Sequence, residues 1–134
     1  MDAQGGTAAY TGANVKPHLG EVPGRDCVAI GNILANDKVV PALAEAFARE
    51  PALPLTARLI GALEAGLAAG GEHGPVRSAA VIVVADEVFP LVDLRVDAAD
   101  QPIAALAALW REYEPWADEF VIRAVDPDRA KGVS

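Results

Sequence analysis

Asp93 and Arg95 stand two apart in Asp93-Leu94-Arg95-Val96-Asp97. In an extended chain the side chains alternate, so these two project from one face as neighbours. A guanidinium can grip a carboxylate through two parallel hydrogen bonds, so the pair could line a polar cleft and hold an acidic group. The plainer alternative is a solvated or mutually paired face. Gly31-Asn32 interrupts an otherwise apolar run. The glycine permits a bulge or a close backbone approach, and the asparagine must satisfy its amide on nearby backbone or on a ligand. Gly70-Gly71-Glu72-His73-Gly74-Pro75 follows a helical pattern. It reads either as a backbone-lined loop offering Glu72 or His73 to a ligand, or as a helix cap followed by a turn. The expected substrate-contacting set is therefore Gly31, Asn32, Glu72, Asp93 and Arg95.

Other chemistry is missing from the sequence. It holds no phosphate-binding glycine loop, no zinc-ligand spacing and no nucleophile-elbow motif, so no catalytic residue, metal or cofactor is expected. Cys27 has Arg25 as its nearest basic neighbour and no histidine nearby, so it reads as inert. His18 and His73 read as loop residues rather than ligands.

Formal net charge is −8. A nucleic-acid binder needs a basic face to displace counterions, and an anionic membrane needs a basic cluster; neither is visible, so both partners are excluded. An unidentified small molecule is the expected ligand. No apolar run reaches the roughly 20 residues of a membrane span, and Met1-Asp2-Ala3-Gln4-Gly5-Gly6 has no signal-peptide character. With a single cysteine, a cytoplasmic setting is expected.

These residues need elements to position them. A length of 134 residues with 52% hydrophobic content suits one domain with ample core, drawn mainly from Ala, Val and Leu. Residues 1–125 are expected to form a single α+β domain and residues 126–134 a polar, mobile tail. Asp2–Gly6 reads as a tight turn and Thr7–Thr11 as a strand; Gly12–Gly24, with its two prolines, reads as a loop. Cys27–Leu34 and Ser78–Val84 are apolar enough for strands covered on both faces. Asn36 or Asp37 would cap a helix to about Glu50, with Val39, Val40, Leu43 and Phe47 inward. Pro54 would begin the next helix, striped by Leu55, Leu59, Leu63 and Leu67 and stopped by Gly70-Gly71. Val92, Leu94 and Val96 alternate with Asp93, Arg95 and Asp97, predicting an antiparallel partner for the preceding strand. A last helix starts at Pro102 with Ile103, Leu106, Leu109, Trp110 and Tyr113 inward. Pro115 restarts a shorter one whose Trp116 and Phe120 are expected in the core.

Several of these segments are similar to the bacterial domain-of-unknown-function family numbered 1028. They are Asp2-Ala3-Gln4-Gly5 with Ala9-Tyr10-Thr11-Gly12, Gly31-Asn32-Ile33-Leu34-Ala35, Glu64-Ala65-Gly66 to Gly70-Gly71-Glu72, Ser78-Ala79-Ala80 and Asp93-Leu94-Arg95-Val96-Asp97. They occur in order across nearly the whole chain. The resemblance implies the fold of the N-terminal-nucleophile hydrolases, a four-layer αββα sandwich of mainly antiparallel strands. It also implies a Thr, Ser or Cys at a chain terminus that cleaves an amide bond. Family members begin upstream with the strand that carries this residue, whereas this chain begins at what resembles the central hairpin. Loop residues Glu72–Arg77 also depart from the family's usual pattern. The expectation is a C-terminal half with its first strands missing: inactive alone, part of an amidohydrolase acting on a small amide or peptide when complete. The alternative is a non-catalytic binding or self-assembling module, and uncovered strand edges would in either case favour a homo-oligomer.

Overall fold

The first regular elements are two short strands that sequence reading assigns in part to a loop. In the computed structural model, which describes residues 1–131, β1 (Gly20–Gly24) pairs antiparallel with β2 (Cys27–Gly31), Val22 opposite Ala29. Gly20, Pro23 and Gly24 conceal β1 in the sequence. The proline is tolerated because β1 has a single ladder partner and needs no second row of N–H donors. Two helices follow, α1 (Val39–Arg49) and α2 (Leu55–Ala68). A second antiparallel pair, β3 (Ala79–Val83) and β4 (Val92–Val96), has Val81 opposite Leu94. The chain then enters α3 (Pro102–Tyr113), a short 3-10 turn (Glu114–Trp116) and α4 (Ala117–Val125). The protein is thus a mixed α/β molecule with two separate two-stranded sheets.

Both sheets rest on the α1–α2 pair, and α3 closes over β3 and β4. The main core joins Ile60, Val81, Val83, Val92, Leu106, Ala107 and Trp110. A smaller one joins Leu34, Val39 and Val40 beneath β1 and β2. The helices interlock where Gly66 of α2 lies against Leu43 of α1; a Cβ on Gly66 would stand 2.8 Å from a Leu43 methyl carbon. Arg58 adds a polar clip. Its Nε and Nη2 donate to the Phe47 carbonyl at 3.1 and 3.0 Å, and its guanidinium lies 4.0 Å above the Phe47 ring. That carbonyl is one of the last four in α1 and has no partner within the helix. We expect Arg58→Ala to lower stability by about 1–2 kcal/mol in urea titration, the loss of a charged donor to a partly buried acceptor.

Several expectations are corrected. Thr7–Thr11 forms no backbone ladder; it borders β1 through side chains, with Thr7 Oγ1 donating to the Gly24 carbonyl at 3.5 Å and Thr11 Oγ1 to Glu21 Oε2 at 2.6 Å. The strands are covered on one face, not two: Ile30, Ile82 and Val84 are 67%, 59% and 71% exposed. Gly31 ends β2 instead of interrupting a longer strand.

The leucine stripe of α2 is not its buried face either. Leu55 and Leu67 are exposed while Thr56, Ile60, Ala62 and Gly66 are buried. Leu109, Trp116 and Phe120 are also partly exposed. Lys38, not Asn36 or Asp37, holds the N-cap position of α1, although Asn36 Oδ1 accepts from the Lys38 N–H at 2.8 Å. The tail forms a short 3-10 turn, Pro127–Arg129, and is tied to α4, with the Lys131 N–H donating to Glu119 Oε1 at 2.5 Å and Arg123 Nη2 to the Lys131 carbonyl at 3.1 Å; residues 132–134 of that expectation lie outside the described residues.

Candidate functional site

The chain crosses from β2 to α1 through Gly31–Lys38, and this crossing is held from both sides. Leu34 exchanges backbone hydrogen bonds with His18 at 3.0 and 3.3 Å, while the Ala35 N–H donates to Gly71 and the His73 N–H to Ile33, both at 2.9 Å. Leu34 and Glu72 thereby form an isolated antiparallel bridge. Ile33 is held at φ +56° in the middle of it, a conformation that a β-branched side chain rarely adopts and that costs of order 1–3 kcal/mol. Such strain persists where surrounding bonds over-determine the backbone, as the bonds on both sides do here.

The end of α2 faces this crossing. The Gly71 N–H bonds the Gly66 carbonyl and the Gly70 N–H the Leu67 carbonyl, both at 3.0 Å. This crossed pair satisfies the helix's last carbonyls and requires residues able to take positive φ. Gly70 and Gly71 do so at +136° and +64°. Asn36 joins the two helices: its Nδ2 donates to the Ala69 carbonyl at 2.9 Å while its Oδ1 receives Lys38. The helix cap expected of this loop is therefore present. Glu72, exposed, also borders a cavity of about 250 Å³ with Leu34, Leu43, Leu63 and Ile103.

Gly31 and Asn32 open elsewhere. With Tyr10, Thr11 and Ile30 they line a separate cleft of about 290 Å³. Asn32 is exposed, so its amide can meet water and the requirement for a protein partner disappears. Asp93 and Arg95 do share one face of β4, opposite Ile82 and Ala80 of β3. That face is open. Arg95 turns to Asp97, donating from Nε and Nη2 at 3.1 Å each. This bond, then the Asp97 charge, raises the guanidinium further above its ordinary value, with a smaller contribution from Asp93. An exposed pair of this kind is weak and easily exchanged for another carboxylate.

The five expected residues thus fall in three places, and the described residues do not join them into one pocket. Sequence reading missed two further features. His18 Nδ1 lies 2.8 Å from Asp37 Oδ1, a pairing that nothing in their separate contexts suggests. A larger apolar slot of about 490 Å³ lies between the sheets, flanked by Cys27–Ile30 of β2 and by Ala80 and Val81 of β3, with Leu43, Ala44 and Leu59 in its floor.

Among the described residues no hydroxyl or thiol is hydrogen-bonded to a histidine or lysine, and no three His, Cys, Asp or Glu side chains gather as a metal site. No helix there is long and apolar enough to cross a membrane.

Comparison with known proteins finds both a family and a solved structure. The model of a family of unknown function, DUF1028, matches residues 1–106. The crystal structure of a Silicibacter pomeroyi protein, also assigned to DUF1028, is similar with a TM-score of 0.76 and 35% identity, covering 89% of this chain and 53% of its own. The chain therefore spans about half the length of that solved relative. No protein of curated function matches.

Proposed function

The chain belongs to the DUF1028 family of unknown function, and from that premise we propose that it supplies the walls, but not the nucleophile, of an amidohydrolase-like protein. The carrying observation is the scatter of its polar candidates. Glu72 borders one cavity, Gly31 and Asn32 another, and Asp93 and Arg95 lie on a sheet face that no described residue covers. Walls in three places need further protein to close them into a site. That the match covers only 53% of the solved relative supports this reading, as does the family's resemblance to the N-terminal-nucleophile hydrolases. A second sheet layer over the exposed faces of β1–β4 would complete a four-layer αββα sandwich, with this chain as its C-terminal half. A cytoplasmic setting accompanies this reading, on the single cysteine.

In that role Arg95 would exchange Asp97 for a substrate carboxylate, and Gly31 and Asn32 would offer backbone and amide groups to a small amide or peptide. The proposal predicts no turnover of a panel of small amides and dipeptides by the purified chain. Turnover that disappears when one of the chain's own residues is replaced would end it.

Ile30, Ile82 and Val84 favour a second reading, a non-catalytic module that self-associates through the open sheet face. A native mass of two or more chains, reduced to one by Ile82→Asp, is its expected signature. A monomer at all concentrations excludes it.

A further inference from the structure

The cleft that Gly31 and Asn32 line holds a carboxylate that no cation neutralises. Ile30 lines this cleft and stands opposite Glu21 in the β1–β2 register, so the two side chains share one face of the sheet. Glu21 Oε2 accepts from Oγ1 of Thr11, another lining residue, at 2.6 Å. That bond orients the carboxylate and leaves Oε1 free to accept from a further donor. Among the described residues Glu21 has no ion-pair partner, and no lysine, arginine or histidine lines the cleft. Tyr10 lines it too and is 90% exposed, with no second aromatic ring against it among those residues. Asn32, exposed in the same lining, adds an amide oxygen.

We propose that this cleft binds a guanidinium group carried on a short alkyl stem. An aromatic face attracts a cation held within about 6 Å of the ring centre. A guanidinium is also planar, so it stacks on that face while its N–H groups donate to a carboxylate. Tyr10 supplies the face, and Glu21 Oε1 and Asn32 Oδ1 supply the acceptors. Ile30 and Val15, both in the lining, pack against the alkyl stem. An ammonium carries the same charge but has no plane to stack, and an anion meets Glu21 unfavourably. The net charge of −8 draws cations toward the chain in general; the ring and the oriented carboxylate select this one. The inference rests on the reading above for the use of Gly31 and Asn32 by a ligand, and it names the group that ligand carries.

The probe is ethylguanidinium chloride, titrated into the 134-residue chain at low ionic strength and followed by backbone amide NMR shifts. For so small a ligand a dissociation constant of about 1–10 mM is expected. The shifts should centre on Tyr10, Thr11, Gly31 and Asn32. N-ethylurea keeps the shape and loses the charge, and should bind roughly fivefold more weakly. Ethylammonium should bind roughly threefold more weakly. Glu21→Gln should weaken ethylguanidinium binding roughly fivefold and Tyr10→Leu roughly threefold. Both side chains are exposed, so the fold should survive either change.

A guanidinium reaches such a cleft either on a free small molecule or on an arginine of a peptide. A capped Gly-Arg-Gly tripeptide separates the two: tighter binding than ethylguanidinium assigns the peptide, and equal or weaker binding assigns the free compound. Equal binding of N-ethylurea, tighter binding of ethylammonium, or an unchanged constant in Glu21→Gln would each overturn the inference. So would shifts that leave Tyr10 and Asn32 unmoved, which would show attraction to the acidic surface at large. None of these outcomes involves turnover, so failure here is separable from failure of the amidohydrolase reading.

Discussion

Leu106→Ala should destabilise the chain by about 3 kcal/mol, within the 2–5 kcal/mol range typical of such truncations. Leu106 is 0% exposed and lies in the main core with Val81, Val83 and Val92. It belongs to α3, which spans both strands of the second sheet, so its truncation opens a void between helix and sheet instead of at a surface. The neighbours that border that void include β-branched valines held in strands, whose side chains have few alternative rotamers. Little relaxation is therefore available, and the cost should exceed the transfer free energy of the lost methyl groups alone. At roughly 4 °C per kcal/mol for a chain of this size, the thermal midpoint should fall by about 12 °C. Urea titration with an unchanged slope would show that native stability, not the unfolded state, has changed.

Gly70→Ala should cost about 2–4 kcal/mol, an effect out of proportion to one methyl group. The backbone at Gly70 has φ +136°, which no L side chain adopts comfortably. A Cβ placed there would also collide with the Asn36 amide nitrogen. That amide is already committed to the Ala69 carbonyl, so the substitution strains the helix end and displaces the bond between α1 and α2. Asn36→Ala removes the bond without the strain and should cost about 1 kcal/mol. The double variant should be less destabilised than the two losses added together, because both changes remove one shared hydrogen bond. Full additivity would show that Asn36 does not act through this junction.

Where side-chain pattern and buried face coincide, the fold was legible in the sequence. The alternation Val92-Asp93-Leu94-Arg95-Val96 places the valines inward and pairs β4 with β3, as observed. Gly70-Gly71 ends α2 as glycines at a helix C-terminus do. Pro102 starts α3.

The unread parts depend on partners far along the chain. β1 is built from Gly, Glu, Val, Pro and Gly, which carry little strand preference, and it exists because β2 offers a ladder. In α2 the leucines look like the obvious apolar stripe, yet the tight contact with α1 needs a small residue, and Gly66 provides it. Leu55 and Leu67 are left outward.

Among the candidate site residues, the sequence placed Asp93 and Arg95 correctly on one face. It could not show that Asp97 would take the guanidinium or that the face would be open. Asn32 drew attention for its place in an apolar run, but Asn36 is the asparagine that the structure uses, through a residue 33 positions away. The slot is equally invisible from sequence, since it is bounded by two strands about 50 residues apart.

The central claim is that β2 and β3 present unpaired inner edges to an open slot. Backbone amide hydrogen exchange on the isolated chain measures this directly. The account predicts strong protection across α2 and α3, with alternate amides of Cys27–Gly31 and Ala79–Val83 exchanging at rates near those of unstructured peptide. In an antiparallel pair only every second N–H points to the existing partner. Uniform protection along both strands in a monomeric sample would contradict it, because those amides would then already be bonded.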